Sequence, residues 1–227
     1  MIYLNNNDNN DNNYYYQKKK LKDIIDSTQN ESRLIEIIYD NCAKKITNLL
    51  RSKSAKNNLK GANNMSSLKT IKSGGDLNYF FIGDNTTNPN NKEGFGIQKW
   101  ADGSIYRGYF SQNKANGLGI YNHSNGSEYS GNFLNDKIEG FGIYIHNSGA
   151  QYIGEWENDL QHGFGSEKWN NNSIFVGEFK FGKKNGCGTY IWEDQSSYSG
   201  EWKDNNLCGY GIYAYNDGRL YYGEWEN

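Results

Sequence analysis

One spacing governs the chain from residue 106 onward. Tyr106, Tyr129, Tyr152, Phe175, Tyr198 and Tyr221 stand 23 residues apart without a slip. A glycine follows each two residues later: Gly108, Gly131, Gly154, Gly177, Gly200 and Gly223. Two residues further on comes a second large ring: Phe110, Phe133, Trp156, Phe179, Trp202 and Trp225. The first five units then carry a Gly-x-Gly pair: Gly117/Gly119, Gly140/Gly142, Gly163/Gly165, Gly186/Gly188 and Gly209/Gly211. A fixed period of this length marks a stack of repeats, each resting mainly on its neighbours.

Within a unit, positions one, three and five share one face of a strand, because side chains alternate. Polar residues such as Ser111-Gln112-Asn113 follow and predict a hairpin turn. A second strand carries the Gly-x-Gly pair, then Tyr121, Tyr144, Tyr190 and Tyr213 at position sixteen. Trp100, His123, His146, Trp169, Trp192 and Tyr215 hold position eighteen. Turns such as Asp102-Gly103 and Asn125-Gly126 lead to the next unit. Equivalent residues of successive hairpins lie ~9.5 Å apart, whereas aromatic pairs prefer ~4.5–7 Å between centroids. The rings are therefore expected to interleave with those of the intervening strand, over a floor made by both glycines of each pair.

Tyr-x-Gly-x-Trp followed by Gly-x-Gly at this period, as in "YIGEWENDLQHGFGSEKW" from Tyr152, resembles the MORN repeat family. The resemblance covers about two thirds of the chain. It implies β-hairpins set side by side in an elongated single-layer antiparallel sheet. It also implies scaffolding, dimerisation and cytoskeletal organisation at membranes, with lipid binding proposed for the family. The family has a glycine three residues after the second ring. Here Asn113, Asp136, Asp159, Gly182 and Asn205 stand there, and all tolerate a left-handed turn.

Ahead of the array the composition changes. Residues 1–16 are Asn-rich low complexity, expected to be disordered. In residues 17–52, Lys18, Lys19, Lys20 and Lys22 sit beside Leu21, Ile24 and Ile25. Ile35, Ile38, Cys42, Ile46 and Leu49 then recur every three or four residues, predicting an amphipathic helix over 31–52. Its apolar face is expected to pack on the array, on a second copy, or on a partner or membrane. A polar basic linker spans 53–78, and the array of six repeats plus a terminal strand spans 79–227. Residues 1–78 carry 13 Lys and Arg against 8 Asp and Glu, a net +5, while 79–227 carry 11 against 18, a net −7. The acidic array is expected not to bind nucleic acid. If the protein reaches an anionic membrane, the four lysines are the expected contact.

Chemistry is sparse. Cys42, Cys187 and Cys208 show neither CxxC spacing nor an even framework, which predicts reduced thiols in a cytoplasmic protein, peripheral at a membrane or cytoskeletal structure. The opening "MIYLNNNDNN" lacks the apolar core of a leader. No Gly-x-Gly extends to Gly-x-Gly-x-x-Gly, so nucleotide binding is not expected. His123 and His146 stand too far apart to share a metal, and His162 reads as a solvated turn residue. Glu155, Glu178, Glu201 and Glu224 hold position four, opposite the rings, as a solvated acidic face or a dock for a basic partner. The reading is a non-enzymatic scaffold without catalytic, cofactor or metal residues and without a small-molecule substrate. Its expected partners are proteins, including a second copy of itself. The alternatives are a regulatory module of a larger enzyme, such as a lipid kinase or methyltransferase, and a direct phosphoinositide-binding module.

Overall fold

A computed structural model describes the backbone of residues 80–83 and 91–226, and side chains over 91–226. The predicted helix, the four-lysine run and the linker lie outside the described residues. Thirteen strands form one antiparallel sheet in strict sequence order. The odd strands are β1 (Phe80–Gly83), β3 (Ile105–Ser111), β5 (Glu128–Leu134), β7 (Gln151–Glu157), β9 (Ile174–Lys180), β11 (Ser197–Lys203) and β13 (Leu220–Trp225). The even strands are β2 (Gly94–Lys99), β4 (Lys114–Asn122), β6 (Lys137–Ile145), β8 (Leu160–Lys168), β10 (Lys183–Ile191) and β12 (Asn206–Ala214). The fold is thus the expected mainly-β sheet of stacked hairpins, with no helix among the described residues.

The turns explain the strand order. From β3 onward each odd strand meets the next even one through two residues of positive φ, as at Asn135 (52°) with Asp136 (71°) and at Asp204 (48°) with Asn205 (72°). That geometry is the type I′ hairpin, which matches strand twist and favours Asn, Asp and Gly. Position eight also ties neighbouring units together. The backbone N–H of Asp159 donates to Ile138 O, and its Oδ1 accepts from Ile138 N at 2.7 Å. Asp136 does the same to Ala115, and Asn205 to Lys184. At the opposite end, Ser104, Ser127, Ser173 and Ser196 are buried. Ser127 Oγ accepts from the backbone of Asn147 in the following turn.

A single row of glycines crosses the sheet. Gly96 pairs with Gly108, Gly108 with Gly119, Gly119 with Gly131, and Gly131 with Gly142. The row continues in this way to Gly211, which pairs with Gly200 on one side and Gly223 on the other. Over this row lie the position-one rings. A Cβ on Gly119 would fall 2.5 Å from Tyr106 Cε2, one on Gly188 the same distance from Phe175 Cζ, and one on Gly211 the same distance from Tyr198 Cε2. On Gly142 it would run into the Tyr129 hydroxyl and ring. The tyrosine hydroxyl then donates to the carbonyl three residues on, as Tyr152 does to Glu155 O at 2.9 Å.

Two expectations need correction. The floor is not made by both glycines of each Gly-x-Gly but by the second alone: Gly119, Gly142, Gly165, Gly188 and Gly211. Between Gly154/Gly165 and Glu155/His162 the register slips by two residues, a bulge that carries the first glycine, Gly163, out of the row. Gly163 (φ +57°) and Gly186 (φ +109°) are required by that bulge, not by the rings. The same holds for Gly117, Gly140 and Gly209, all at positive φ. The interleaving also differs. Position-one rings alternate with position-five rings of their own and the next odd strand, edge to face. Tyr106 lies 5.0 Å from both Phe110 and Phe133, Tyr129 5.5 Å from Trp156, and Phe175 5.2 Å from Trp202. The glycine-floored even strand passes beneath. Glycines, two neighbouring rings and the partly buried even-strand side chains packed against the ladder enclose each inner ring, so Tyr106, Tyr129, Tyr152, Phe175 and Tyr198 are at most 2% exposed.

Candidate interaction surface

Above the buried ladder runs a second, half-exposed tier from the even strands. Trp100 and Tyr121 lie 5.5 Å apart, Tyr121 and His123 4.5 Å, and His123 and Tyr144 6.3 Å. After a gap the tier resumes through Trp169–Tyr190 (5.3 Å), Tyr190–Trp192 (4.7 Å), Trp192–Tyr213 (5.2 Å) and Tyr213–Tyr215 (4.7 Å). Flat, half-buried rings of this kind are the usual contact chemistry of recognition surfaces. Each is anchored by the layer below, so little entropy is lost on binding.

The gap is filled by charge. Glu167 occupies position sixteen, where the other units from Tyr106 onward have tyrosine, and Lys184 occupies position ten of the next unit. Lys184 Nζ lies 3.4 Å from Glu167 Oε2 and 4.8 Å from the Trp169 centroid, and it also faces Phe175 and Tyr190. Burial pushes the Glu167 carboxyl up from its ordinary range, and Lys184 opposes the shift. The tyrosine pattern of position sixteen hid the pair in the sequence. The signal was present as the break that Glu167 makes in that column.

Of the residues singled out earlier, the rings at 106, 110, 129, 133, 152, 156, 175, 179, 198 and 202 come together as one buried ladder. Trp225 packs against it, whereas Tyr221 on the edge strand β13 is 44% exposed. The acidic column is not only a solvated face. Glu155 Oε1 accepts from Phe164 N at 3.0 Å, and Glu178 Oε1 from Cys187 N at 3.0 Å. Glu201 Oε1 accepts from Tyr210 N at 3.3 Å. These carboxylates accept from backbone N–H groups on the bulged strands. His162 is on β8 rather than in a turn, with Nδ1 3.1 Å from Glu157 Oε2 and its ring against Phe181. His123 is held down in charge by burial, with Asp102 opposing. Among the described residues no group of three His, Cys, Asp or Glu could hold a metal. No described helix is long and apolar enough to cross a membrane.

Phe181 stands apart. It sits at the turn tip at φ +51°, where the other units have Gln, Asn or Asp, and is 62% exposed. A bulky residue in this region is an outlier.

A sequence model described as "MORN repeat" matches residues 90–105, 106–128, 129–151, 152–174, 175–197 and 198–218. No curated protein matches the chain. Among solved structures, the SAS-4 (dCPAP) TCP domain of Drosophila melanogaster, in complex with a proline-rich motif of Ana2 (dSTIL), is 11% identical. That match covers 67% of this chain and 86% of that one, with a TM-score of 0.35. Six consecutive units, the period, the ring ladder and the glycine row agree, and the chain belongs to the MORN repeat family.

Proposed function

We propose that this protein is a non-enzymatic scaffold that binds protein partners along the ring face of its MORN sheet. The observation that carries the reading is the outer tier: half-exposed rings held rigid by a buried ladder, running along one face on both sides of the Lys184–Glu167 pair. A preorganised aromatic strip offers contact area at little entropic cost. The acidic character of residues 79–227 favours partners with basic groups beside their apolar anchors. Lys18, Lys19, Lys20 and Lys22 supply attraction to an anionic membrane, at ~1 kcal/mol each. That attraction favours work at a cytoplasmic membrane or cytoskeletal surface.

Proximity labelling in the native cell tests the reading, comparing the wild-type chain with Trp100→Ser and Trp192→Ser. Both tryptophans stand outside the buried ladder, so circular dichroism should be unchanged. Partners enriched by the wild type should be depleted with the variants. An identical partner set for all three chains would sink the assignment of this face.

A further inference from the structure

The ring face is unevenly filled. Position ten holds Ile138, Gln161, Lys184 and Leu207 in four hairpins, but only Ala115 on β4. The missing side-chain volume coincides with a cleft of about 540 Å³, walled by Trp100, Tyr121 and Phe133, with Asp136 and Asp159 on its turn side and Lys92, whose Nζ donates to Gln98 Oε1, also lining it. The pocket therefore combines a ring floor with a rim in which two carboxylates outnumber one ammonium, a net negative balance. It calls for an occupant with aliphatic anchors flanked by cations.

The chain contains such a stretch. Residues 42–53 read CAKKITNLLRSK: Ile46, Leu49 and Leu50 are interleaved with Lys44, Lys45, Arg51 and Lys53, without one Asp or Glu. We propose that residues 42–53 seat in this cleft of the same chain, so that a partner reaches the aromatic strip by displacing them.

Tether length favours the same chain over a second copy. Residues 54–79 separate the stretch from β1, and a segment of that length with coil statistics would span roughly 28 Å. The cleft opens about three strand spacings from β1, ~15 Å. The anchors are thus presented at an effective concentration on the order of millimolar, above what free protomers reach. Charge acts in the same direction, with net +5 before residue 79 and net −7 after it. The proposal rests on the scaffold reading only for its regulatory consequence. The seating can be tested alone.

The test uses the full chain with Cys187→Ser, Cys208→Ser and Ala115→Cys, treated with a short bis-maleimide. Native Cys42 should cross-link to position 115 within one chain, with a yield that does not change over a hundredfold dilution. Ile46→Asp with Leu49→Asp should cut that yield at least tenfold. Cross-links only between chains, or a yield indifferent to the two aspartates, would overturn the proposal. Should the Ala115→Cys chain fold poorly, hydrogen exchange on the chain with native Ala115 decides instead. Amides of 42–53 should exchange at least fivefold more slowly than in the Ile46→Asp, Leu49→Asp chain, and equal rates would also overturn it. Either failure leaves partner capture through Trp100 and Trp192 standing as a separate result.

Discussion

Gly163 and Gly165 are two residues apart and are glycine for different reasons. A Cβ on Gly165 would enter the Tyr152 ring and its hydroxyl, which cannot move without opening the ladder. Gly165→Ala should cost about 1–3 kcal/mol, as overpacking does. A Cβ on Gly163 would meet only the Glu155 carboxylate at 2.7 Å, the end of a flexible side chain, plus the strain of φ +57°. Gly163→Ala should cost about 1–2 kcal/mol, and paired urea melts would rank the two. Phe181 gives the opposite sign. Asn tolerates its left-handed φ far better, so Phe181→Asn should raise stability by about 0.5–1 kcal/mol. A stabilised variant that also loses a partner would mean that the strain is retained for contact. The ladder tyrosines predict a pH response. Burial raises the phenol pKa of Tyr106, Tyr129, Tyr152 and Tyr198 above the ordinary value. A raised folded pKa means stability is complete below about pH 10 and is lost as pH climbs further. Phenolate absorbance and circular dichroism should therefore change together in one alkaline transition. Gradual phenolate formation with the sheet intact would show that the hydroxyls are accessible.

At the scale of the strand, what could be read from the sequence follows from where alternation holds. Rings at positions one and five and the glycine between them obey it, so their shared face was legible. The even strand does not, because a two-residue bulge interrupts its register, and no residue-level signal separates Gly163 from Gly165, or Gly140 from Gly142. The same bulge explains why Glu155, Glu178 and Glu201 looked like plain surface charge. Their acceptor role exists only once the bulge turns an N–H toward them. That the rings pack over glycine was legible; that the inner position-one ring alone lies flat over one glycine from each of two paired strands, and is buried to at most 2% exposure, was not. Removing a bulge acceptor tests this account: Glu178→Ala should cost about 0.5–1.5 kcal/mol, the usual net value of one hydrogen bond. Glu178→Gln, which keeps an acceptor oxygen, should recover most of it in the same thermal melt. Equal losses for both would mean that the charge matters rather than the bond.

At the scale of the whole described sheet, each unit from Tyr129 onward lends its second ring to the unit before it. Trp202 stacks on Tyr198 of its own strand and on Phe175 of the previous odd strand, and its Nε1 donates to Gly188 O at 3.0 Å. Trp225 stands in the same place against Tyr198 and Tyr221, but on the edge strand β13, where Tyr221 is 44% exposed. Burial energy is therefore shared between neighbours, as in a one-dimensional stack. The two tryptophans should differ in cost although their chemistry is identical. Trp202→Ala removes a buried ring joining two units and should cost about 3–5 kcal/mol. Trp225→Ala should cost less, because its surroundings are already partly wet. Hydrogen exchange reads how far each lesion spreads. Amides of β13 should exchange faster than those of β7–β9 in the unaltered chain, since local opening starts where rings lack a cover. Trp225→Ala should speed exchange in β11–β13 alone, whereas Trp202→Ala should reach inward to β9 and outward to the edge. Equal spread from both substitutions would contradict neighbour-by-neighbour stabilisation and make the sheet a single indivisible unit.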